Sequence, residues 1–112
     1  MKKVKLIECP RDALQGIKSH FISTEAKAQY INALLRVGFD TIDFGSFVSP
    51  KAIPQMRDTV EVLSKLDLSN TQSKLLAIVA NIRGAEEASQ FEEITYLGYP
   101  FFLIGFVYLK SQ

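Results

Sequence analysis

The sequence predicts an α/β fold made of parallel βα repeats. Short β-branched runs alternate with stretches of helical periodicity, and the units are roughly 30 residues long, the size of a βαβ element. The run SKLLAIVAN (73–81) is nearly continuous in apolar residues, as a strand covered on both faces requires. Strands separated by helices imply a parallel sheet with right-handed crossovers. Two architectures satisfy the pattern: an open doubly wound sheet, or part of a (β/α)8 barrel. A whole barrel needs about 250 residues, and this chain has 112.

The elements follow in order. Val4 to Ile7 reads as a short strand, closed by the turn Cys9-Pro10-Arg11-Asp12, because proline restricts the residue before it. From Ser23 to Val37 the period changes, with Ala26, Tyr30, Ile31, Leu34 and Leu35 recurring at three- and four-residue steps. Ser23 or Thr24 can cap this helix, and Gly38 can end it. FDTIDFGSF (39–47) is a second alternating strand, and VSPKAIPQM (48–56) is a loop stiffened by Pro50 and Pro54. A second helix is expected from Arg57 to Leu66, burying Val60, Val62, Leu63 and Leu66. RGAEEASQF (83–91) is helix-like, and EITYLGYP (93–100) is strand-like.

Composition narrows the function classes. The chain is 47% hydrophobic and 22% charged, the profile of a soluble globular domain. Thirteen basic and 12 acidic residues give a net charge of +1, and no basic stripe marks a nucleic-acid binder. Cys9 is the single cysteine, which excludes an internal disulfide and a cysteine-rich zinc site. A reducing, cytoplasmic setting fits. The apolar run after Lys2 and Lys3 is too short and too interrupted for an export signal. Neither GxGxxG nor GxxxxGK[ST] occurs, so the common phosphate-loop fingerprints are absent.

Three motifs break the tie. PRDALQ (10–15), IDFGSFVSPKAIPQM (42–56) and NIRGAEEA (81–88) closely resemble the hydroxymethylglutaryl-CoA lyase family, within the metal-dependent (β/α)8-barrel lyases and synthases. The resemblance runs from about Val4 to Pro100. SFVSPKxxPQM is its specific part, since related synthases and aldolases share the RD corner but not that loop. It implies that residues 1–100 are the N-terminal portion, about half, of a TIM (β/α)8 barrel, incomplete in this chain, reaching from the first strand to the fourth.

The resemblance also implies a site. In barrels the working residues sit in the loops after strands, which is where Arg11 and Asp12 fall. Asp12 would ligate a divalent cation, Mg2+ or Mn2+, as hard ions prefer oxygen. Arg11 would stabilise the enolate. Asp43, where the family usually has glutamate, is expected to point into the barrel mouth on the same face as Gly45 and to pair with Arg11. Gln15 and Ser46 are the substrate-binding candidates. The bland readings are an Arg11–Asp12 pair serving only the turn and a surface Asp43. Cys9 and Ala13 stand where the family commonly has glycine; Cys9 reads as a packing residue. Ser49 and Lys51 lie in the substrate-side loop, Pro50, Pro54 and Met56 read as structural, and His20 as a solvated loop residue.

The implied reaction is metal-assisted cleavage of 3-hydroxy-3-methylglutaryl-CoA to acetyl-CoA and acetoacetate, so the implied partner is an acyl-CoA substrate. The family's H-x-H pair, later asparagine and mobile cysteine loop have no counterpart in this sequence. The chain alone is therefore expected to be inactive, with an open edge beside the fourth strand that invites self-association. The different class of function is a non-catalytic α/β fragment or small binding module that keeps a lyase-like sequence. Residues 101–112, FFLIGFVYLKSQ, depart from the family as an apolar tail. The leading expectation is a frame change or truncation near Pro100. Its rivals are a divergent strand and a membrane anchor, the latter short of the roughly 20 residues a spanning helix needs.

Overall fold

The computed structural model describes residues 5–99 in full, together with the backbone of Pro100 and of residues 105–109. The order is β1 (Ile7–Glu8), α1 (Pro10–Gln15), α2 (Thr24–Leu35), β2 (Thr41–Phe47), a 3-10 turn (Pro54–Met56), α3 (Thr59–Ser64), β3 (Lys74–Val79), α4 (Ile82–Ser89), β4 (Ile94–Pro100) and β5 (Gly105–Leu109). The sheet order is β1-β2-β3-β4-β5, and the first four strands are parallel. This is the expected βα repeat.

Two elements depart from expectation. The PRDALQ stretch, read as a turn, is a short helix, because Pro10 occupies its first turn, where the missing N–H costs nothing. Beyond β4 the repeat breaks: β5 pairs antiparallel with β4, from Tyr96↔Leu109 to Pro100↔Gly105. The edge of β4 that was expected to stand open is thus occupied by this chain's own residues. Of the predicted apolar tail, 101–104 and 110–112 lie outside the described residues.

The core lies between the sheet and the helices. Ala28, Ile31 and Leu35 of α2, Val62 and Leu63 of α3, and Ala88 of α4 pack on Ile42, Phe44, Phe47, Leu75, Ala77, Val79, Ile94 and Leu97. Each large apolar side chain so buried is worth about 1.5–3 kcal/mol. Ser23 caps α2, its Oγ accepting the Ala26 N–H at 3.1 Å, and Gly38, at φ 105°, turns the chain towards β2. Asn81 caps α4 through Gly84 N–H, 2.8 Å from its Oδ1.

The buried face of α2 is the predicted one at Ile31 and Leu35, with Leu34 packed beside them, but not at Ala26 or Tyr30. Tyr30 is exposed and Lys27 is only 2% exposed. Lys27 lies one turn before Ile31 and Leu35 on the buried side of the helix, where it meets Asp58, the Gln55 carbonyl and the Phe21 ring. In α3, Val62 and Leu63 are buried as predicted, but Val60 is exposed.

Candidate active-site corner

The corner is built from one irregularity in β2. Ile42 is level with Leu75 and Asp43 with Leu76, but Gly45 is level with Ala77, so Phe44 is an extra residue. This bulge re-aims the strand. Ile42, Phe44 and Phe47 reach the helix-side core, whereas Asp43 and Ser46 share the opposite face. The simple alternation that placed Gly45 beside Asp43 is therefore corrected: Gly45 faces α3, and a Cβ there would lie 2.7 Å from Thr59 Cγ2. Thr59 Oγ1 also accepts the Ser46 N–H at 3.3 Å, fixing the strand beyond the bulge.

A similar shift in β4 continues the row. Asp43, Leu76 and Tyr96 form one layer across the inner face, and Ser46, Ile78 and Gly98 form the next. A Cβ at Gly98 would meet Ile78 Cδ1 at 2.7 Å, so that side-chain end would have to turn aside.

Arg11 reaches Asp43 from α1. Its Nε lies 3.1 Å from Oδ1 and 3.0 Å from Oδ2, and its Nη2 donates to Oδ2 at 2.8 Å. Asp43 is buried and Arg11 largely so, their side chains being 5% and 16% exposed. The expected pairing is present, and aspartate is long enough to make it. Burial pushes the Asp43 carboxyl above its ordinary value, with Arg11 drawing it back only in part. For Arg11, burial is the largest single influence and acts downward, but the hydrogen bond to Asp43 and the negative charges of Asp43 and Asp12 together outweigh it, and the guanidinium is held more firmly charged than usual. Nη1 takes no part in that hydrogen bond and lies 3.9 Å from Asp12 Oδ1. The arginine therefore keeps an N–H edge that Asp43 does not bond and that Asp12 meets only at ion-pair distance.

The other predicted residues separate into two groups. Asp12 stands beside Arg11 with a carboxylate 75% exposed. Gln15 and Ser46 each bury a side-chain oxygen with no hydrogen-bond partner, but they line different clefts, of about 500 and 720 Å3. Neither of these two clefts is lined by Arg11, Asp12 or Asp43. Ser49 Oγ accepts the Lys51 N–H at 3.2 Å, a turn-shaping contact. His20 is exposed, its Nδ1 2.9 Å from Ser19 Oγ. Burial and the neighbouring Asp43 push the Cys9 thiol up, which disfavours the thiolate a nucleophile would need. Among the described residues no three His, Cys, Asp or Glu side chains cluster as a cation site would require. The residues present thus do not make up a metal site by themselves.

The sequence reading missed a polar network behind the corner. Lys27 Nζ donates to Asp58 Oδ1 at 2.6 Å and to the Gln55 carbonyl, and lies 4.0 Å from the centre of the Phe21 ring. Thr24 Oγ1 donates to Asp58 Oδ2 at 2.6 Å. Gln55 accepts the Ile22 N–H at 2.8 Å and donates to the carbonyls of Ile17 and His20 at 2.9 and 3.0 Å. The signal was present: a lysine four residues before Ile31 falls on the buried stripe and demands an acid.

Comparison with known proteins shows what the chain as a whole is similar to. The chain is 42% identical over 88 residues to the hydroxymethylglutaryl-CoA lyase YngG of Bacillus subtilis, an alignment covering 78% of this chain and 29% of YngG. The chain is homologous to part of the hydroxymethylglutaryl-CoA lyases. It is 39% identical over 88 residues to the 3-hydroxy-3-isohexenylglutaryl-CoA/hydroxy-methylglutaryl-CoA lyase of Pseudomonas aeruginosa, again covering 78% and 29%. The structure of the Bacillus subtilis lyase superposes with a TM-score of 0.78 at 38% identity, over 88% of this chain and 33% of that one. The lyase of Acinetobacter baumannii, solved in complex with coenzyme A and 3-methylmalate, gives 0.76 at 35% identity, over 85% and 30%. No family model matches the chain. The fold is therefore part of a lyase-type TIM barrel, and the chain spans about three-tenths of the length of the lyases it matches.

Proposed function

We propose that this chain carries the N-terminal corner of a hydroxymethylglutaryl-CoA lyase-like site and that, alone, it turns nothing over. The observation that carries the reading is the buried Arg11–Asp43 pair, which fixes a guanidinium while leaving its Nη1 edge unused. In the complete enzyme the substrate is an acyl-CoA, 3-hydroxy-3-methylglutaryl-CoA, cleaved to acetyl-CoA and acetoacetate. Cleavage leaves negative charge on the acetyl-CoA enolate oxygen, and a positioned cation in a water-poor site stabilises such charge strongly. Arg11 supplies that cation, and Asp43 positions it. Gln15 and Ser46 are the substrate-side hydrogen-bonding groups. Among the described residues Asp12 is the candidate ligand for a Mg2+ or Mn2+ ion, whose remaining ligands would come from elsewhere.

Among the described residues no helix is long and apolar enough to cross a membrane, and a cytoplasmic setting belongs to the proposal. So does self-association, now through the outer edges of β1 and β5 rather than of β4, with sedimentation as its measure.

The test is complementation. Purified chain, Mg2+ and substrate should give no acetoacetate; turnover by the chain alone would overturn the inactive reading. Adding the remaining barrel of a Bacillus subtilis-type lyase should produce acetoacetate, and Arg11→Met should abolish it. If addition gives nothing although the halves associate, the second reading, a non-catalytic α/β module, takes its place.

A further inference from the structure

The loop from Ile17 to Ile22 joins α1 to the capped start of α2 and contains no helix or strand of its own. Gln55, only 6% exposed, pins it. Its Nε2 donates to the carbonyls of Ile17 and His20 at 2.9 and 3.0 Å, and its Oε1 accepts the Ile22 N–H at 2.8 Å. A carboxamide has two N–H donors and one oxygen, and here all of them are engaged. Glutamate in its place would lose both donations, and methionine all three bonds. Gln55 is in turn fixed from behind, because its own carbonyl accepts from Lys27 Nζ. Phe21, in the same loop, stands against Lys27 and Arg57, which lie 4.0 and 3.8 Å from its ring centre.

The helix before this loop depends on such a tether. Isolated helices shorter than about 12 residues are marginal in water, and α1 has six, with no side-chain cap from Cys9. Arg11, its second residue, bonds Asp43 near the N-terminal end. One side-chain attachment at one end leaves a short helix free to pivot. The second attachment lies at the other end. There α1 passes through Gly16 into Ile17, whose N–H donates to the Leu14 carbonyl at 3.0 Å and whose carbonyl Gln55 holds. Asp43 lies on β2, and Gln55 on the 3-10 turn between β2 and α3. Both ends of α1 are thus referenced to one stretch of chain.

We propose that Gln55 is a positioning residue for Arg11: by holding the loop that α1 runs into, it sets the direction of the helix that carries the guanidinium over Asp43. Its consequence for activity rests on the lyase-like reading of Arg11 above. The positioning itself does not, and the two are tested apart.

The first measurement is hydrogen exchange in the full chain by NMR, comparing the Arg11 Nε–H with the amides of Leu75, Leu76 and Ala77 in β3. The ratio of the two rates cancels any general loss of stability. In Gln55→Met, which keeps the length of the side chain, that ratio should rise roughly tenfold or more, as local opening predicts. The comparison variant is Asn32→Ala. Asn32 also ties a loop, its Nδ2 donating to the Lys65 carbonyl at 3.1 Å and its Oδ1 accepting the Asp67 N–H at 2.8 Å, but it touches nothing in 17–22. There the ratio should stay at its parent value. Should Gln55→Met not fold, Gln55→Glu, which keeps only the Ile22 bond, takes the same measurement. An unchanged ratio in the Gln55 variant, or an equal rise in Asn32→Ala, would overturn the proposal. The second measurement is turnover in the complemented enzyme, where Gln55→Met should lower kcat roughly tenfold with little change in KM, the mark of an interaction used in the transition state. Lower kcat with an undisturbed Arg11 Nε–H would also overturn the proposal. A loosened Arg11 with parental kcat keeps Gln55 as its positioning residue and removes the enolate role of Arg11 instead.

Discussion

Among the described residues two buried ion pairs tie elements of the fold together, and they are finished differently. Lys27–Asp58 is closed: Asp58 accepts from Lys27 and Thr24, and Lys27 also donates to the Gln55 carbonyl and stands over Phe21. Arg11–Asp43 is closed only on the Asp43 side, because Nη1 of Arg11 points towards an exposed Asp12. The first pair joins α2 to the start of α3 and spends its hydrogen-bonding capacity internally. The second joins α1 to β2 and keeps capacity in reserve. Unused donors on a fixed cation are what a site needs and a scaffold avoids, and this difference is what supports the role proposed for Arg11 and Asp43.

The strongest way to break the comparison is to remove one partner of the closed pair. Lys27→Met leaves the Asp58 carboxylate buried beside a thioether, and breaking a buried pair from one side costs about 3–5 kcal/mol. That is a large part of the roughly 5–15 kcal/mol that holds a whole domain folded. Urea unfolding should show the loss, and Lys27→Met with Asp58→Asn should recover most of it, since Thr24 keeps its acceptor. A single variant no worse than the double would show that the pair is not what holds α2 to α3.

Next in size is the bulge that gives Asp43 its direction. Gly45→Ala places a methyl 2.7 Å from Thr59 Cγ2, and overpacking of this kind costs about 1–3 kcal/mol. Adding Thr59→Ser removes Cγ2 but keeps the hydroxyl that accepts Ser46 N–H, so it should restore part of the stability. If Gly45→Ala unfolds no earlier than the parent chain, β2 is not pressed against α3 as described.

These same residues show how far the sequence could be read. The four parallel strands were legible because strand and helix periods alternate cleanly, and Arg11–Asp43 was legible because the motifs carried the pairing with them. The bulge was not, since nothing in TIDFGSF marks Phe44 as the extra residue; the glycine that permits it was visible, but its direction depends on Thr59, 14 positions along the chain. Lys27 was passed over because a charged residue in an apolar stripe looks like the edge of the stripe. Its partner lies 31 residues away, and only tertiary packing joins them. The antiparallel β5 follows from pairing with β4, a non-local choice that composition does not encode.

The open pair should respond less in stability and more in function. Asp43→Asn keeps the size and one acceptor but removes the charge opposite Arg11, and loss of one charge-assisted hydrogen-bonding partner costs about 1–3 kcal/mol. In the complemented enzyme, activity should fall by a factor well beyond that stability loss, because the guanidinium is no longer held in place. Asp43→Glu should retain most of it. Equal activity in Asp43→Asn and the parent would make Arg11–Asp43 a structural pair like Lys27–Asp58, and the contrast would collapse.

The smallest effect lies in acid. The Asp43 carboxyl sits above its ordinary value of 3.8, burial being the main cause and Arg11 the opposing one. The folded chain therefore holds this proton more tightly than the unfolded chain does. Its contribution to stability is fully present below pH 3.8 and is lost as pH rises through the raised value. Other carboxylates add their own slopes, so the quantity to measure is the difference between the parent chain and Asp43→Asn, followed by urea unfolding from acid towards neutral pH. That difference should shift in favour of Asp43→Asn as pH rises from 3.8 through the raised value and should be flat thereafter. A shift of opposite sign would mean that Arg11 outweighs burial and that Asp43 is stabilised as a carboxylate. The open pair would then be as well satisfied electrostatically as the closed one, and its unused Nη1 edge alone would separate the two.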